Sequence, residues 1–136
     1  MRVSFTTKSF GRETILAPID LTLTNTRITV LMGPSGSGKE LAARLVHSAS
    51  TRAGGPFVVL NAAAITPESM ETELFGIETT GTVPQRIGAL EEAHGGTLLL
   101  DEIADMPKET QGKILRVLVE QSFQRVNGSI KVEVDV

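Results

Sequence analysis

The 136-residue chain has no cysteine, which excludes a disulfide framework and any thiolate metal site. Tryptophan and tyrosine are also absent and phenylalanine occurs only five times, so aromatic platforms for stacking bases are scarce. No stretch approaches the roughly 18 consecutive apolar residues of a membrane span, and the N-terminus lacks the apolar core of a signal peptide. Excess positive charge is missing too. Thirteen Lys and Arg stand against 16 Asp and Glu, a formal net charge of −3, with no clustered basic stripe. That balance points away from direct binding of DNA or RNA by this segment, and the apolar pattern points away from a membrane. What is there, 40% hydrophobic and 21% charged residues, is the balance of a folded globular protein. The length suits one domain and is too short for two, and the expectation is a cytoplasmic protein.

No internal repeat or low-complexity segment is visible. Residues 2–6 (RVSFT) alternate and read as a strand, Lys8–Gly11 as a turn, and Thr14–Leu23 as a second alternating strand, an antiparallel hairpin or meander. Arg27–Met32 is a nearly continuous apolar run, expected to be a strand buried on both faces. A helix follows over Glu40–Ala49, with Leu41, Leu45 and Val46 at helical spacing. Phe57–Asn61 reads as a short buried strand, and a helix from Pro67, with Thr66 as its N-cap, ends at Gly76. Thr79–Pro84 reads as a loop, Arg86–His94 as a helix closed by Gly95-Gly96, and Thr97–Leu100 as a buried strand. Pro107 opens a helix to about Gln121, expected to face the core with Ile114, Leu115, Leu118 and Val119. The tail, 123–126 and 130–136 around Asn127-Gly128, reads as a hairpin with a two-residue turn. Alternating strands and helices imply an α/β fold with a mostly parallel sheet and antiparallel hairpin strands at the two ends of the chain.

Gly33-Pro34-Ser35-Gly36-Ser37-Gly38-Lys39 has the pattern G-x-x-x-x-G-K between a strand and a helix. Its glycines let successive backbone N–H groups point inward at phosphate oxygens, and the helix N-terminus adds partial positive charge. Lys39 would reach the β- and γ-phosphates as a point charge. The position after the lysine, where Ser or Thr usually ligates magnesium, is Glu40. Glu40 either coordinates magnesium, directly or through water, or is a first-turn acid favoured by the helix dipole. The second half of the site is Asp101-Glu102 at the end of an apolar strand, at the sheet edge where ligands bind in such folds. Asp101 would hold magnesium and Glu102 would polarise the water attacking the γ-phosphate. ATP and magnesium are therefore the expected ligands. Asn61 is expected on the same edge, where it could orient water or bind Glu102. His47 and His94 lack a metal-ligand spacing and read as structural. Arg116 and Arg125 could act across a subunit interface, although single arginines are more often solvated or ion-paired.

From Gly33 onward, GPSGSGKELAARLVH, GGPFVVLNAAAI, ELFG, RIGALEEAHGGTLLLDEIADMP and ETQGKILRVLVEQSFQRVNG resemble the AAA+ ATPase domain of sigma-54-dependent response regulators of the NtrC family. The resemblance spans about a hundred residues in the family's order and implies a P-loop NTPase three-layer sandwich. By it, Gly33–Lys39 with Glu40 and Leu41 form the Walker A segment, and Asp101 and Glu102 the Walker B segment. It also accounts for Glu40, which follows the lysine in this family. Two departures stand out. Ile77–Gln85 (IETTGTVPQ) lacks the family's Gly-Ala-Phe-Thr-Gly-Ala signature that touches the sigma factor. In this it resembles the NtrX type of regulator, and direct remodelling of sigma-54 is left without its usual residues. The family pattern also continues past Val136 into sensor, arginine finger, helical lid and DNA-binding segments. Residues 1–39, by contrast, are similar to the start of an ABC transporter ATPase, in which Phe10 would stack on adenine, or else is a hairpin core residue.

Taken together, these resemblances imply one nucleotide-binding domain over residues 1–136, with ABC-like strands over 1–32 and a truncated AAA+ core over 33–136. They also suggest an engineered chimera joined at the phosphate loop. Three functions follow: an ATPase of weak turnover for want of an arginine finger, sensors and lid; a nucleotide-binding scaffold without turnover; and a purely structural product. A sheet lacking a central strand exposes unpaired edges. The N-terminal or tail strands are expected to fill the gap, or two chains to form a homodimer or strand-exchanged oligomer.

Overall fold

A computed structural model describes residues 2–5, 8–10, 13–16, 19–22, 32–34, 36–82 and 84–136, the first four segments as backbone only. The chain divides into two compact units, Met1–Ala53 and Gly54–Val136, each described by itself.

In the first unit β1 (Arg2–Phe5) pairs antiparallel with β4 (Ile19–Thr22), and β2 (Lys8–Phe10) with β3 (Glu13–Leu16). Antiparallel pairing is what the alternation predicts. Two details differ. Lys8–Phe10 is a strand rather than a turn, and its register against β3 shifts between Lys8 and Ser9. The single long strand expected over 14–23 is two strands, Glu13–Leu16 and Ile19–Thr22, each paired with a different partner. The strand expected over 27–32 lies outside the described residues apart from Met32, which is in no strand and is 87% exposed. Helix α1 (Lys39–Ser48) starts from Gly38, whose left-handed backbone (φ 86°) turns the chain into the first turn. Leu41, Leu45 and Val46 are half-buried along it.

The second unit is built on the parallel pair β5 (Phe57–Asn61) and β6 (Thr97–Asp101), in register from Phe57 opposite Thr97 to Asn61 opposite Asp101. The crossover between them carries α2 (Pro67–Phe75) and α3 (Ala89–Glu92). Pro67 opens α2 with Thr66 extended before it, and Gly76 closes it at φ 74°, as the sequence predicts. A Cβ at Gly76 would run into the backbone of Arg86 and Gly88, and one at Gly88 into Gly76 and Leu74, so the two glycines let these segments touch backbone to backbone. That contact explains why the helix expected over Arg86–His94 is shorter. Arg86 exchanges N–H···O bonds of 2.8 and 3.0 Å with Ile77 as a β-bridge, and helical geometry starts only after Gly88.

Helix α4 (Lys108–Glu120) buries Thr110, Ile114 and Val117, one stripe at i, i+4 and i+7. Of the four residues expected to face the core only Ile114 does so. Leu115, Leu118 and Val119 are 56%, 46% and 77% exposed. Met70 and Leu74 of α2 have no exposure, and with Leu60, Phe75, Leu90 and Phe123 they form the core that Ile114 and Val117 join. The Phe75 and Phe123 rings pack tilted at 56°, 5.6 Å apart.

The tail forms an antiparallel hairpin of β7 (Ser122–Gln124) and β8 (Lys131–Glu133), but the connection is longer than two residues. Val126 is drawn away to pair with Ile77, its N–H donating to the Gly76 carbonyl at 3.0 Å, while Asn127 takes the left-handed conformation (φ 61°). Among the described residues β6 pairs only with β5, and the tail strand pairs with β7, so the tail does not fill a gap beside β6. No described helix is long and apolar enough to cross a membrane.

Candidate functional site

The phosphate-loop half belongs to the first unit. Gly33, Pro34 and Gly36 are exposed, and Gly36 and Gly38 take φ of 79° and 86°, values that side chains resist. The Ser37 N–H donates to the Pro34 carbonyl at 3.2 Å, closing one turn of the loop. A Cβ at Gly33 would lie 2.7 Å from the Ser37 hydroxyl, so a side chain there would make that hydroxyl turn aside. Lys39 folds its ammonium back over the loop, donating to the carbonyls of Gly33 at 3.0 Å and Pro34 at 3.1 Å. No side chain caps α1, so no capping side chain occupies the space in front of its first-turn N–H groups. Glycines in left-handed turns, an uncapped ten-residue helix and an ammonium on the same loop are a cradle that fits phosphate.

Glu40 is engaged by its own helix. Its Oε1 accepts from Nε and Nη2 of Arg44 at 2.9 and 2.7 Å, an exposed i,i+4 pair worth about 0.3–0.5 kcal/mol. Leu41 is half-buried behind it. Ser35 lies outside the described residues, and so does the side chain of Phe10, whose backbone pairs with Glu13.

The acidic half belongs to the second unit. Asp101 ends β6 opposite Asn61, at the C-terminal edge of the parallel pair. Both side chains turn back to the chain. Asn61 Oδ1 accepts from the Ala63 N–H at 3.0 Å, and Asp101 Oδ1 from the Glu102 N–H at 3.0 Å. Glu102, half-buried, sits at φ 53° and ψ 47° and leads into a 3₁₀ turn over Ile103–Asp105. A non-glycine residue in that region stores about 1–3 kcal/mol and persists only where its surroundings enforce it. Among the described residues no group of three or more His, Asp or Glu side chains could by itself hold a metal ion.

Sequence reasoning missed Gln111. Gln111 donates its amide to the carbonyls of Ile103 at 3.2 Å and Met106 at 3.0 Å, tying α4 to the turn after Glu102. It carries no motif signal. Arg125 takes the ion-paired form, the commoner one for a single arginine, and is the hub of a network. Its Nε and Nη2 grip Glu91 at 2.8 and 2.7 Å while Nη1 reaches Glu78 at 2.8 Å. The forked contact with Glu91, and then Glu78, raises the guanidinium further above its already high range. Arg116 is exposed, 4.0 Å from Glu120. His94 accepts from the Asp135 N–H through Nδ1 at 3.2 Å. A shallow cleft lined by Val58, Leu60, Glu73, Arg86 and Ala89 does not include the acidic pair.

The curled loop at a helix N-terminus and the acid-tipped parallel strand define the class, an α/β P-loop nucleotide-binding fold. The chain matches the family model described as the Sigma-54 interaction domain over residues 7–136, and it belongs to that family. It is 60% identical over 131 residues, 93% of this chain and 29% of the other, to the nitrogen assimilation regulatory protein NtrX of Azorhizobium caulinodans. It is 50% identical over 118 residues to the DNA-binding transcriptional regulator NtrC of Escherichia coli, covering 84% of this chain and 25% of that one. The crystal structure of NtrX from Brucella abortus in complex with ATP superposes with a TM-score of 0.70 at 65% identity, covering 76% of this chain and 22% of that one. The complex of the same protein with ADP gives a TM-score of 0.70, also at 65% identity, with the same coverage. The chain thus spans less than a third of the curated relatives it matches. The family match begins at residue 7, inside the segment likened above to an ABC transporter ATPase. That likeness, and the engineered-chimera reading built on it, find no support.

Proposed function

We propose that the chain binds ATP with magnesium through Gly33–Lys39, Glu40 and Leu41, and hydrolyses it slowly with Asp101 and Glu102. The observation that carries this reading is the Lys39 ammonium folded onto the Gly33 and Pro34 carbonyls of a curled loop at an uncapped helix N-terminus. A phosphate would compete with those two carbonyls for the ammonium and meet the first-turn N–H groups. The solved NtrX complexes with ATP and ADP support the same ligand. Magnesium, when bound, screens the phosphate charge, and Asp101 would hold it, with Glu40 as a second candidate that must first release Arg44. Glu102 would hold the attacking water and accept its proton. Slow turnover is expected because an arginine acting on the transferred phosphate is worth about 10³–10⁵ in rate, and Arg125 is committed to Glu78 and Glu91. The other edge of β6 has no partner strand among the described residues. Such an edge recruits strands of other chains, so a homodimer or strand-exchanged oligomer belongs to the same proposal, as does a cytoplasmic setting.

Calorimetric titration of ATP with magnesium into the wild type and Lys39→Ala, with phosphate release followed in parallel, tests this. Loss of one charge-assisted contact, about 1.5–3 kcal/mol, should weaken binding by about 10–150-fold. Equal affinity in both proteins would sink the nucleotide reading and leave the loop as a structural turn. The second reading is binding without turnover, and it rests on the same cradle. Glu102→Gln separates the two: an ATPase loses phosphate release and keeps affinity, whereas a passive binder has no release to lose.

A further inference from the structure

We propose that Gln111 is a positioning residue for Glu102, clamping the turn that follows the acidic pair so that Glu102 is held in its left-handed conformation. The inference rests on the reading of Asp101 and Glu102 as the catalytic edge. After β6 the chain passes through Glu102 at φ 53° into a single 3₁₀ turn, closed by Asp105 N–H to Glu102 carbonyl at 2.9 Å and Met106 N–H to Ile103 carbonyl at 3.1 Å. Two short-range bonds are a weak reason for a glutamate to stay in a conformation it disfavours. The Gln111 amide supplies a further constraint. Its two N–H donors take one carbonyl inside the turn, Ile103, and one just past it, Met106. The helix that carries Gln111 is fixed by Thr110, Ile114 and Val117, all buried, and Met106 itself is 3% exposed. On the other side Asp101 Oδ1 holds the Glu102 N–H. Glu102 is thus gripped before and after, with Gln111 tying the carbonyls of the turn to α4.

The test compares the wild type with Gln111→Met, which keeps length and removes both donors, and Gln111→Glu, which keeps length and polarity and sets a carboxylate against two carbonyls. Amide hydrogen exchange reads the clamp without any need for activity. The Asp105 and Met106 N–H groups should exchange about tenfold faster or more in both variants, while amides in α2 keep their protection. ATP turnover, measured alongside, should fall by about ten- to a hundredfold in kcat with little change in KM, the opposite of the binding loss expected for Lys39→Ala. Unchanged exchange at Asp105 and Met106 in both variants overturns the proposal. So does loss of protection spread evenly over the unit, or an undiminished kcat in a wild type that hydrolyses ATP. A wild type that releases no phosphate would refute the catalytic reading of Glu102, and local exchange would then decide the clamp by itself.

Discussion

Asn61 and Asp101 face each other on the last rung of the parallel β5–β6 pair, the amide on one strand beside the carboxylate on the next. An amide there accepts the Ala63 N–H without adding charge next to Asp101. Asn61→Asp would set two carboxylates side by side, and like charges at such a spacing cost about 0.2–1 kcal/mol. The repulsion raises the carboxyl pKa values in the folded state, so the loss should be fullest near neutral pH and fade as pH falls through the carboxylate range. Urea unfolding of Asn61→Asp and wild type at about pH 7.5 and about pH 3.5, on either side of the carboxylate range, checks this. A destabilisation that did not shrink on acidification would place the two groups out of reach of each other.

The buried stripe of α4 makes a sharper contrast. Ile114 is 6% exposed and Val119 77%, although both are aliphatic residues of one helix. Ile114→Ala should cost about 2–4 kcal/mol through lost contacts and a cavity, whereas Val119→Lys should stay within about 0.5 kcal/mol. Denaturant unfolding of the two variants decides. A large loss for Val119→Lys would mean that this face of the helix is covered.

That helix also shows where the sequence is legible and where it stops. The sequence places a helix from Pro107 to about Gln121, but with aliphatics at 114, 115, 117, 118 and 119 it offers more than one apolar stripe. Only burial in the core that also holds Met70 and Leu74 selects Ile114 and Val117. Local chemistry is read more safely: Pro67 starts α2 and Gly76 ends it, because backbone conformation at proline and glycine is set largely by the residue itself. The phosphate loop is legible for the same reason. Gln111 and the partners of Arg125 are not, since bonds across eight, 34 and 47 positions leave no periodic trace. The β-bridge that keeps Arg86 out of α3 is equally invisible, being fixed by the meeting of Gly76 with Gly88.

Gly88 carries a prediction of its own. A side chain there would enter the backbone of Gly76 and Leu74, and backbone cannot step aside as a flexible side chain can. Gly88→Ala should therefore destabilise by roughly 2–3 kcal/mol, with thermal unfolding as the readout. Gly112 on the open face of α4 meets nothing within 4 Å, and Gly112→Ala should instead stabilise by up to about 1 kcal/mol through helix propensity. Equal effects of the two substitutions would contradict the close approach at Gly76.

Arg125 stands between two acids with side-chain exposures of 22% for Glu78 and 15% for Glu91, its own being 13%. Removing the cation leaves both carboxylates partly buried without a counter-charge. Arg125→Met should therefore cost about 3 kcal/mol, the lower end for a broken buried pair because all three groups keep some contact with water. Adding Glu91→Gln in the same chain should recover part of that loss, since the neutral amide no longer needs a cation. The guanidinium pKa is raised in the folded state, so its contribution is fully present below the ordinary arginine value. Alkaline pH up to about 11 should leave it intact. A double-mutant cycle by urea unfolding is the measurement, and additive losses would show that Arg125 and Glu91 are not coupled.

Glu102 is the position where stability and the proposed chemistry should pull apart. Its φ of 53° is strained for glutamate and free for glycine. Glu102→Gly should raise stability by roughly 0.5–1 kcal/mol, the relief of strain being partly offset by the greater entropy of glycine in the unfolded chain. Glu102→Gln keeps both the side-chain length and the strain, and should leave stability within about 0.5 kcal/mol of the wild type. Both variants should lose phosphate release, because neither can accept a proton from the attacking water. Only the glycine variant should gain in urea unfolding. A residue retained at a cost to folding and needed for turnover is the pattern expected where strain serves a site. If Glu102→Gly proved no more stable than Glu102→Gln, the left-handed conformation would carry no strain, and the clamp assigned to Gln111 would have nothing to hold.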